Sequence, residues 1–285
     1  MIKHAVTEDY KEVMSYLNRE GSLNTTQLSH IEKYGLARDF QEVWLQRDAE
    51  GDPILAVIVR HFNSLYLYND NYIFEPGELG SFTSFLRPDI IFGKRDLLGD
   101  LALYLEGMVL EPSCHMILEK RECLIPCNEV ERAGLEDCEE LASLIYSIPE
   151  FARFYHSPQE IERGIRRRIE MGICRYFVLK IDGRIVSQAY TTIESAHYAT
   201  IGGVVTLPEY RKRGLASLVV SCISQNLLQD HKTPNLFYSN EEAGRVYENL
   251  GFVHAGDYAM LLSHEYAQKD GRQISTQCGS KFPNK

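Results

Sequence analysis

A run of cations followed by small residues, Arg211 to Ala216, offers the clearest chemistry in this sequence. The apolar and β-branched residues from Val204 to Leu207 predict a strand, which ends at Pro208 because proline cannot donate to a sheet ladder. An apolar-striped helix begins at Leu215. Such a turn leaves backbone N–H groups unpaired at the positive end of a helix, where phosphate binds well. The alternative is an ordinary strand-to-helix connection with a solvated basic corner.

A second segment, Asn240 to Phe252, predicts a short helix with defined ends. Asn240 is a good N-cap, and Gly251 is suited to the left-handed residue that stops a helix. Phe252 is expected to pack back against the helix. Taken alone, this segment indicates no more than a capped core helix.

The elements around these segments have a specific predicted order. A strand–turn–strand pair with Asp182-Gly183 at its turn leads into a third strand that contains Gly202-Gly203, where a bulge or a close ligand approach is expected. The predicted strands are 175–181, 184–193, 198–206 and 235–239, and the predicted helices are 133–147, 157–171 and 215–229. The run Arg166 to Arg168 in the second of these helices is interpreted as a solvated face.

The two segments together resemble a known family. Arg211 to Ala216 fits the pattern [Gln/Arg]-x-x-Gly-x-[Gly/Ala], and Asn240 to Phe252 fits Asn-x-x-Ala-x-x-x-Tyr-x-x-x-Gly-Phe. Both are signatures of the GCN5-related N-acetyltransferases, and the resemblance covers roughly 130–262, nearest to the FR47-like branch. It implies an α/β (α+β) fold with a mixed, mostly antiparallel sheet flanked by helices. It also implies acetyl-CoA as a co-substrate and no metal.

The resemblance assigns roles to particular residues. The backbone of Val204, Val205 and Thr206 would bind the pantetheine arm, and the basic turn would bind the pyrophosphate. The remaining cofactor-binding candidates are Arg211, Lys212, Arg213, Gly214, Leu215, Ala216, Ser217 and Asn240.

Tyr247 matches the tyrosine that protonates the departing thiolate in this family; a core tyrosine with its hydroxyl at the rim is the alternative. No motif marks the base. Glu194 and His197 lie at the predicted strand hairpin and are candidates, although each also suits an ordinary turn. A base that acts through water remains open.

The first half of the chain carries no comparable basic turn. Its predicted order is helix, helix, strands, helix and strand, with strand-like runs at 40–46, 53–62, 65–68, 81–86, 90–92 and 115–119. We predict a domain at 1–126 that is a degenerate copy of the acetyltransferase domain at 127–264; an unrelated α/β domain is the alternative. Residues 265–285 are polar and predict a flexible tail.

Composition narrows the class of protein. The net charge is −10, and residues 1–126 carry 12 Lys and Arg against 20 Asp and Glu, which argues against nucleic-acid binding. This acidic half favours cationic acceptors or simply solubility. No apolar run is long enough to cross a bilayer, and no signal peptide is visible. The seven cysteines include no CxxC pair, which predicts a cytoplasmic protein with reduced thiols and no metal site. A monomer or a homodimer is expected.

The resemblance leads to three alternative functions. The first is an acetyl-CoA-dependent N-acetyltransferase that acts on a small amine or amino-acid-like acceptor by direct transfer. The second is an N-acyltransferase with a larger acyl-CoA, similar to the glycine N-acyltransferases. The third is a non-catalytic module that binds acyl-CoA and regulates another process.

Overall fold

The computed structural model describes residues 1–152 and 155–263. Its α-helices are α1 Tyr10–Leu17, α2 Thr25–Tyr34, α3 Pro76–Leu86, α4 Arg95–Ala102, α5 Cys138–Tyr146, α6 Pro149–Ala152, α7 Pro158–Glu170, α8 Leu215–Gln229 and α9 Glu241–Asn249. Its strands are β1 Ile2–His4, β2 Ala37–Arg38, β3 Gln41–Gln46, β4 Ala56–His61, β5 Ser64–Tyr68, β6 Ile90–Lys94, β7 Met108–Leu118, β8 Val130–Arg132, β9 Tyr176–Ile181, β10 Arg184–Glu194, β11 Tyr198–Thr206, β12 Thr233–Tyr238 and β13 Phe252–Ser263.

All the described strands belong to one mixed sheet with a repeated order. Across the sheet the order is β1-β3-β4-β5-β6-β13-β7-β12-β11-β10-β9-β8, with β2 beside β3. Read from either edge, antiparallel strands lead to one parallel pair, β5 with β6 or β11 with β12. The remaining pairings between described strands are antiparallel. The predicted mixed, mostly antiparallel fold is therefore confirmed.

The two halves exchange their last strands at the centre of this sheet. Strand β7, from the first half, pairs with β12, and β13, from the second half, pairs with β6. Side chains follow the strands: Met116 and Leu118 of β7 pack in the second-half core, whereas Tyr258 and Leu261 of β13 pack in the first-half clusters. The repeated order supports the predicted duplication. The boundary at 126 falls between β7 and β8 and stays a prediction.

Local signals set several element ends in the second half. Asp182 and Gly183 both have positive φ, 51° and 78°, as a two-residue hairpin turn of this hand requires. The Ser157 hydroxyl accepts a hydrogen bond from the Glu160 N–H, as predicted for the start of α7. These local contacts explain why the predicted bounds in this half lie close to the observed ones.

The structure corrects two predictions in the first half. Residues 81–86 belong to helix α3 and not to a strand; Pro76 stands at the first position of that helix, a start signal that the prediction missed. The strand predicted at 115–119 is also longer, since β7 begins at Met108. The predicted tail at 265–285 lies outside the described residues. None of the helices in 1–152 and 155–263 combines the length and apolar character needed to span a membrane.

Candidate functional site

An opening lies between the parallel strands β11 and β12. Their pairing runs from Tyr198 opposite Thr233 to Ile201 opposite Leu236, and no further pair is formed. Beyond that point β11 continues to Thr206, while the end of β12 pairs with β7 on its other side. The β11 backbone from 202 to 206 thus presents an edge with no strand partner on the β12 side. A free strand edge can hydrogen-bond an extended ligand.

A bulge interrupts β11 at this opening. Gln188 pairs with Val205 and Tyr190 pairs with Gly202, so β11 holds one more residue than β10 between these points. Gly203 in the bulge has φ +55°, and a Cβ atom there would lie 1.8 Å from Cε1 of Tyr190. Only glycine fits, because both the backbone angle and the ring beneath it exclude a side chain.

Gln188 brings a buried polar group to the bulge. Its Nε2 donates to the Gly203 carbonyl oxygen at 3.3 Å, and the side chain is fully buried. Among the described residues, its Oε1 has no hydrogen-bond partner. A buried amide oxygen without a partner is unfavourable, so this atom is suited to accept an N–H group of a ligand.

The basic turn, Arg211 to Gly214, has left-handed backbone angles immediately before α8. Lys212 and Gly214 have positive φ, 61° and 78°, and residues 211–214 are exposed. For the amides of 212–217, the structure records no acceptor within the described part of the chain. Successive free amides at a helix N-terminus form a concave anion site. The turn and the start of α8 contain five of the residues that the sequence analysis predicted to bind the cofactor, namely Lys212, Gly214, Leu215, Ala216 and Ser217.

The side chains of the turn contribute less than its amides. Arg211 Nε donates to the Thr206 carbonyl oxygen at 3.2 Å, and Arg213 lies over the Tyr210 ring, 5.3 Å from its centroid. Val204 and Thr206 are half-buried and Val205 is buried. The strand end, the turn and the start of α8 therefore form one continuous surface.

Helix α9 places Tyr247 on the other side of the opening. Its ring lies 6.1 Å from the rings of both Tyr238, at the end of β12, and Phe252. Burial raises the pKa of Tyr247 to about 12, so its hydroxyl stays protonated at neutral pH and can donate a hydrogen bond or a proton. Asn240 Oδ1 accepts from the Glu242 N–H at 2.8 Å, which makes Asn240 the cap of α9.

The two base candidates lie away from the bulge. Glu194 is four residues beyond Tyr190 on β10, about 13 Å along a strand. Arg175 binds its carboxylate at 2.9 and 2.8 Å, and the Thr191 hydroxyl donates to it at 2.9 Å. His197 is exposed in the turn that follows. This geometry argues against either residue as the base and favours transfer of the proton to water.

A possible cation site lies elsewhere in the sheet. Cys114, His254 and Asp257 bring their potential ligand atoms within 4.8 Å of one another. Arg95 already forms an ion pair with Asp257, and His254 is exposed. Because a guanidinium competes for that carboxylate, we assign no metal to this cluster.

Sequence reasoning missed the polar and aromatic part of the site. Gly202-Gly203 marked the bulge, but Gln188 and Tyr190 beneath it were not singled out. One signal was available, since a glutamine interrupts the apolar run of β10 at 188. A polar side chain at the centre of a buried strand usually has a hydrogen-bond partner, so its presence there is more informative than that of an exposed polar side chain.

Comparison with known proteins agrees with this geometry. Residues 181–260 match the family model described as FR47-like protein. No curated protein matches the sequence. The match covers the bulge, the basic turn, α8 and α9, and it confirms the predicted resemblance to the FR47-like branch.

Solved structures extend the likeness to 92% of the chain. An acetyltransferase of the GNAT family from Colwellia psychrerythraea is 13% identical, with a TM-score of 0.58 over 92% of this chain and 99% of its own. A Drosophila protein is 13% identical, with a TM-score of 0.61 over 92% and 98%. A tandem GNAT protein from the clavulanic acid biosynthesis pathway is 11% identical, with a TM-score of 0.56 over 92% and 97%. The fold is therefore that of the GCN5-related N-acetyltransferases, and the repeated strand order and the tandem relative agree with two copies of it.

Proposed function

We propose that this FR47-like chain is a cytoplasmic N-acetyltransferase that moves an acetyl group from acetyl-CoA to the amine of a small acceptor. One observation carries the proposal. The free β11 edge leads directly into the free amides at the start of α8, as a ligand with an extended arm and a pyrophosphate requires. In this arrangement the backbone of Val204, Val205 and Thr206 binds the pantetheine arm.

The pyrophosphate binds the amides of 212–217. Lys212 and Gly214 provide the left-handed backbone that turns these amides toward one point. Arg211 and Arg213 add positive charge at the rim, while Leu215, Ala216 and Ser217 form the first turn of α8. Asn240 acts indirectly, because it holds the start of the helix that carries Tyr247.

The reaction is a direct acyl transfer. The neutral amine attacks the thioester carbonyl carbon, the new C–N bond forms, and the C–S bond breaks. Tyr247 gives its hydroxyl proton to the departing thiolate, and the amine proton leaves to water, which restores the tyrosine through solvent. Backbone N–H groups at the β11 bulge stabilise the tetrahedral oxyanion in this proposal.

Two experiments test this function. Calorimetric titration with acetyl-CoA is expected to show binding, and thiol release over a panel of small amines is expected to show turnover. Absence of binding would contradict the cofactor assignment. Binding without thiol release on any amine would instead favour the regulatory module.

The N-acyltransferase alternative is tested in the same assay. The Tyr190 ring lines the bulge, so the acyl group of the thioester has to fit beside this ring. Comparison of acetyl-CoA with benzoyl-CoA and octanoyl-CoA decides between the two. A higher kcat/KM for either larger thioester would replace acetyl-CoA as the proposed co-substrate.

A further inference from the structure

Arg168 is a half-buried cation that no carboxylate of the described residues pairs with. It lies in the last turn of α7, and its Nη1 donates to the Tyr176 hydroxyl at 3.4 Å. The prediction that the run from Arg166 to Arg168 is solvated holds for the exposed Arg167 but is wrong for Arg168. Desolvating a guanidinium is unfavourable unless an anion compensates it.

Other shielded arginines of this chain show the usual solution. Arg175, with 13% of its side chain exposed, binds Glu194 and Asp230. Arg47, with the same exposure, binds Glu12 and Asp9. Arg168 is the exception, because its polar neighbours are tyrosine hydroxyls and a thiol, which are neutral at pH 7.

A continuous path of contacts joins Arg168 to the β11 bulge. The Tyr176 ring stacks on the Tyr190 ring with centroids 4.7 Å apart and planes 19° apart. Tyr190 in turn fills the space beneath Gly203. Because Arg168 reaches the Tyr176 hydroxyl and the two rings are stacked, the guanidinium lies beside this tyrosine pair.

At the β11 bulge, the other end of this path, lies a hydrogen-bond acceptor, whereas Arg168 is a donor. Gln188 Oε1 is an acceptor that lacks a partner among the described residues. Gln188 and Tyr190 lie two apart on β10, so their side chains project from the same face of the sheet. The two ends of the path therefore offer an acceptor for an N–H donor at Gln188 and a cation for an anion at Arg168.

We infer that the acceptor amine carries a carboxylate, and that Arg168 binds this carboxylate with help from the hydroxyls of Tyr176 and Tyr190. The inference rests on the proposed acetyl transfer and narrows its substrate to amino acids or other amino carboxylates. Arg168 makes a charge-assisted hydrogen bond to the substrate and takes no part in proton transfer. Gln188 orients the amine at the other end.

The first test compares acceptors that differ only in this group. Thiol release from acetyl-CoA is measured with a set of amino acids and with their carboxamides. The native protein is expected to prefer the acids by about tenfold or more in kcat/KM, since a charge-assisted hydrogen bond is lost in the amides. Arg168→Gln is expected to remove this preference by raising KM for the acids, with KM for acetyl-CoA unchanged.

Two control variants make the result specific. Arg167→Gln changes the exposed neighbour and is expected to leave the preference intact. Arg168→Lys keeps the positive charge but lacks the planar guanidinium group, and this variant is expected to retain part of the preference for acids over carboxamides. Equal turnover of acids and carboxamides by the native protein, or equal effects of the substitutions at 167 and 168, would overturn the inference.

A binding experiment separates this inference from the proposed function. N-acetylated amino acids and their carboxamides are titrated calorimetrically into native protein and Arg168→Gln, with and without CoA. Tighter binding of the carboxylates to native protein alone supports the inference even if no transfer is observed. Equal binding of both ligand classes, with acetyl-CoA binding intact, rejects the carboxylate site and leaves the transferase proposal standing.

Discussion

The two halves of this molecule share one strand order but differ where their parallel strands end. In the second half, β11 and β12 separate after Ile201 and leave a bulged free edge. In the first half, β5 and β6 stay close past their last pair, because a Cβ atom on Gly93 would lie only 3.0 Å from the Leu67 carbonyl oxygen. The first-half strands therefore remain together at the point where the second-half strands separate.

The helix that follows the first strand of each parallel pair differs as well. At the start of α3, the Glu78 carboxylate accepts from the Ile2 N–H and from Gln46 Nε2, each at 2.9 Å, and pairs with the chain's terminal ammonium at 2.8 Å. The equivalent turn before α8 has three cations and free amides. The Glu78 carboxylate at the start of α3 repels phosphate, whereas the cations and free amides before α8 attract it.

A polar network surrounds the ends of β5 and β6 in the first half. The Tyr68 hydroxyl donates to Glu20 at 2.8 Å, and Lys94 forms an ion pair with the same carboxylate. The Tyr16 hydroxyl donates to the Leu55 carbonyl oxygen at 2.7 Å. These contacts pair the polar side chains at the strand ends with one another. A single scaffold can thus serve packing or binding, and the side chains at the strand ends decide which.

The largest expected effect comes from placing a carboxylate in the second-half turn. Gly214→Asp is expected to weaken acetyl-CoA binding about a hundredfold, because the new charge meets the pyrophosphate. Aspartate tolerates the left-handed backbone at this position better than most residues.

Gly77→Asp in the first turn of α3 is the matched control, since its Cβ would meet only the Tyr104 ring, at 3.8 Å. Calorimetry is expected to show unchanged affinity for this variant. Similar losses in both variants would show that the halves do not differ as we describe.

The next effect concerns turnover. Tyr247→Phe is expected to lower kcat at least about tenfold, since the leaving thiolate loses its proton donor, while the acetyl-CoA Kd changes less than about threefold. Tyr238→Phe, on the neighbouring ring, is the control and is expected to retain kcat. An unchanged kcat in Tyr247→Phe would remove this residue from the mechanism.

The shared centre of the sheet gives a pH-dependent prediction. His115 on β7 stacks on Phe237 of β12, with ring centroids 4.8 Å apart, and burial lowers its pKa to about 4. Between pH 6.5 and 4 the unfolded chain binds a proton here that the native chain does not, so stability falls as the pH falls.

His115→Phe keeps the stacked ring and removes the titration. When the pH is lowered from 7.5 to 5, both proteins lose stability, and we expect the native protein to lose roughly 2 kcal/mol more of its free energy of unfolding than His115→Phe does. Urea unfolding at the two pH values measures this difference. An identical loss in both proteins would mean that His115 is not held neutral at the exchanged strands.

The smallest effect concerns the cations of the turn. Arg211→Gln and Lys212→Gln are each expected to weaken acetyl-CoA binding only about two- to threefold, because both side chains are exposed and the amides provide the main contacts. Titrations at low and high salt measure this contribution, which is expected to shrink as salt rises. A loss comparable with that of Gly214→Asp would transfer the main role to the side chains.

Much of the second half could be predicted because its signals are local. The Asp182-Gly183 turn and the caps at Ser157 and Asn240 each depend on residues within a few positions, and the observed ends agree with them. The basic turn from Arg211 to Gly214 was recognisable for the same reason. Short apolar runs are ambiguous, however, and the run at 81–86 was predicted as a strand although it lies in a helix.

The features that were missed depend on distant parts of the chain. Nothing near β7 in sequence indicates that it pairs with β12 and β13, more than a hundred residues away. The ion pair between Glu194 and Arg175 likewise appears only when β9 and β10 are brought together. Arg168 is different, because its spacing from the buried Ile161 and Ile165 already places it on the inner face of α7, a local signal that the prediction did not use.

The stoichiometry of acetyl-CoA binding tests the difference between the halves most directly. Calorimetric titration of the native protein is predicted to give one site per chain, in the second half, because within residues 1–152 and 155–263 the free strand edge and the free helix amides meet there. Two sites per chain, or no site at all, would contradict this account.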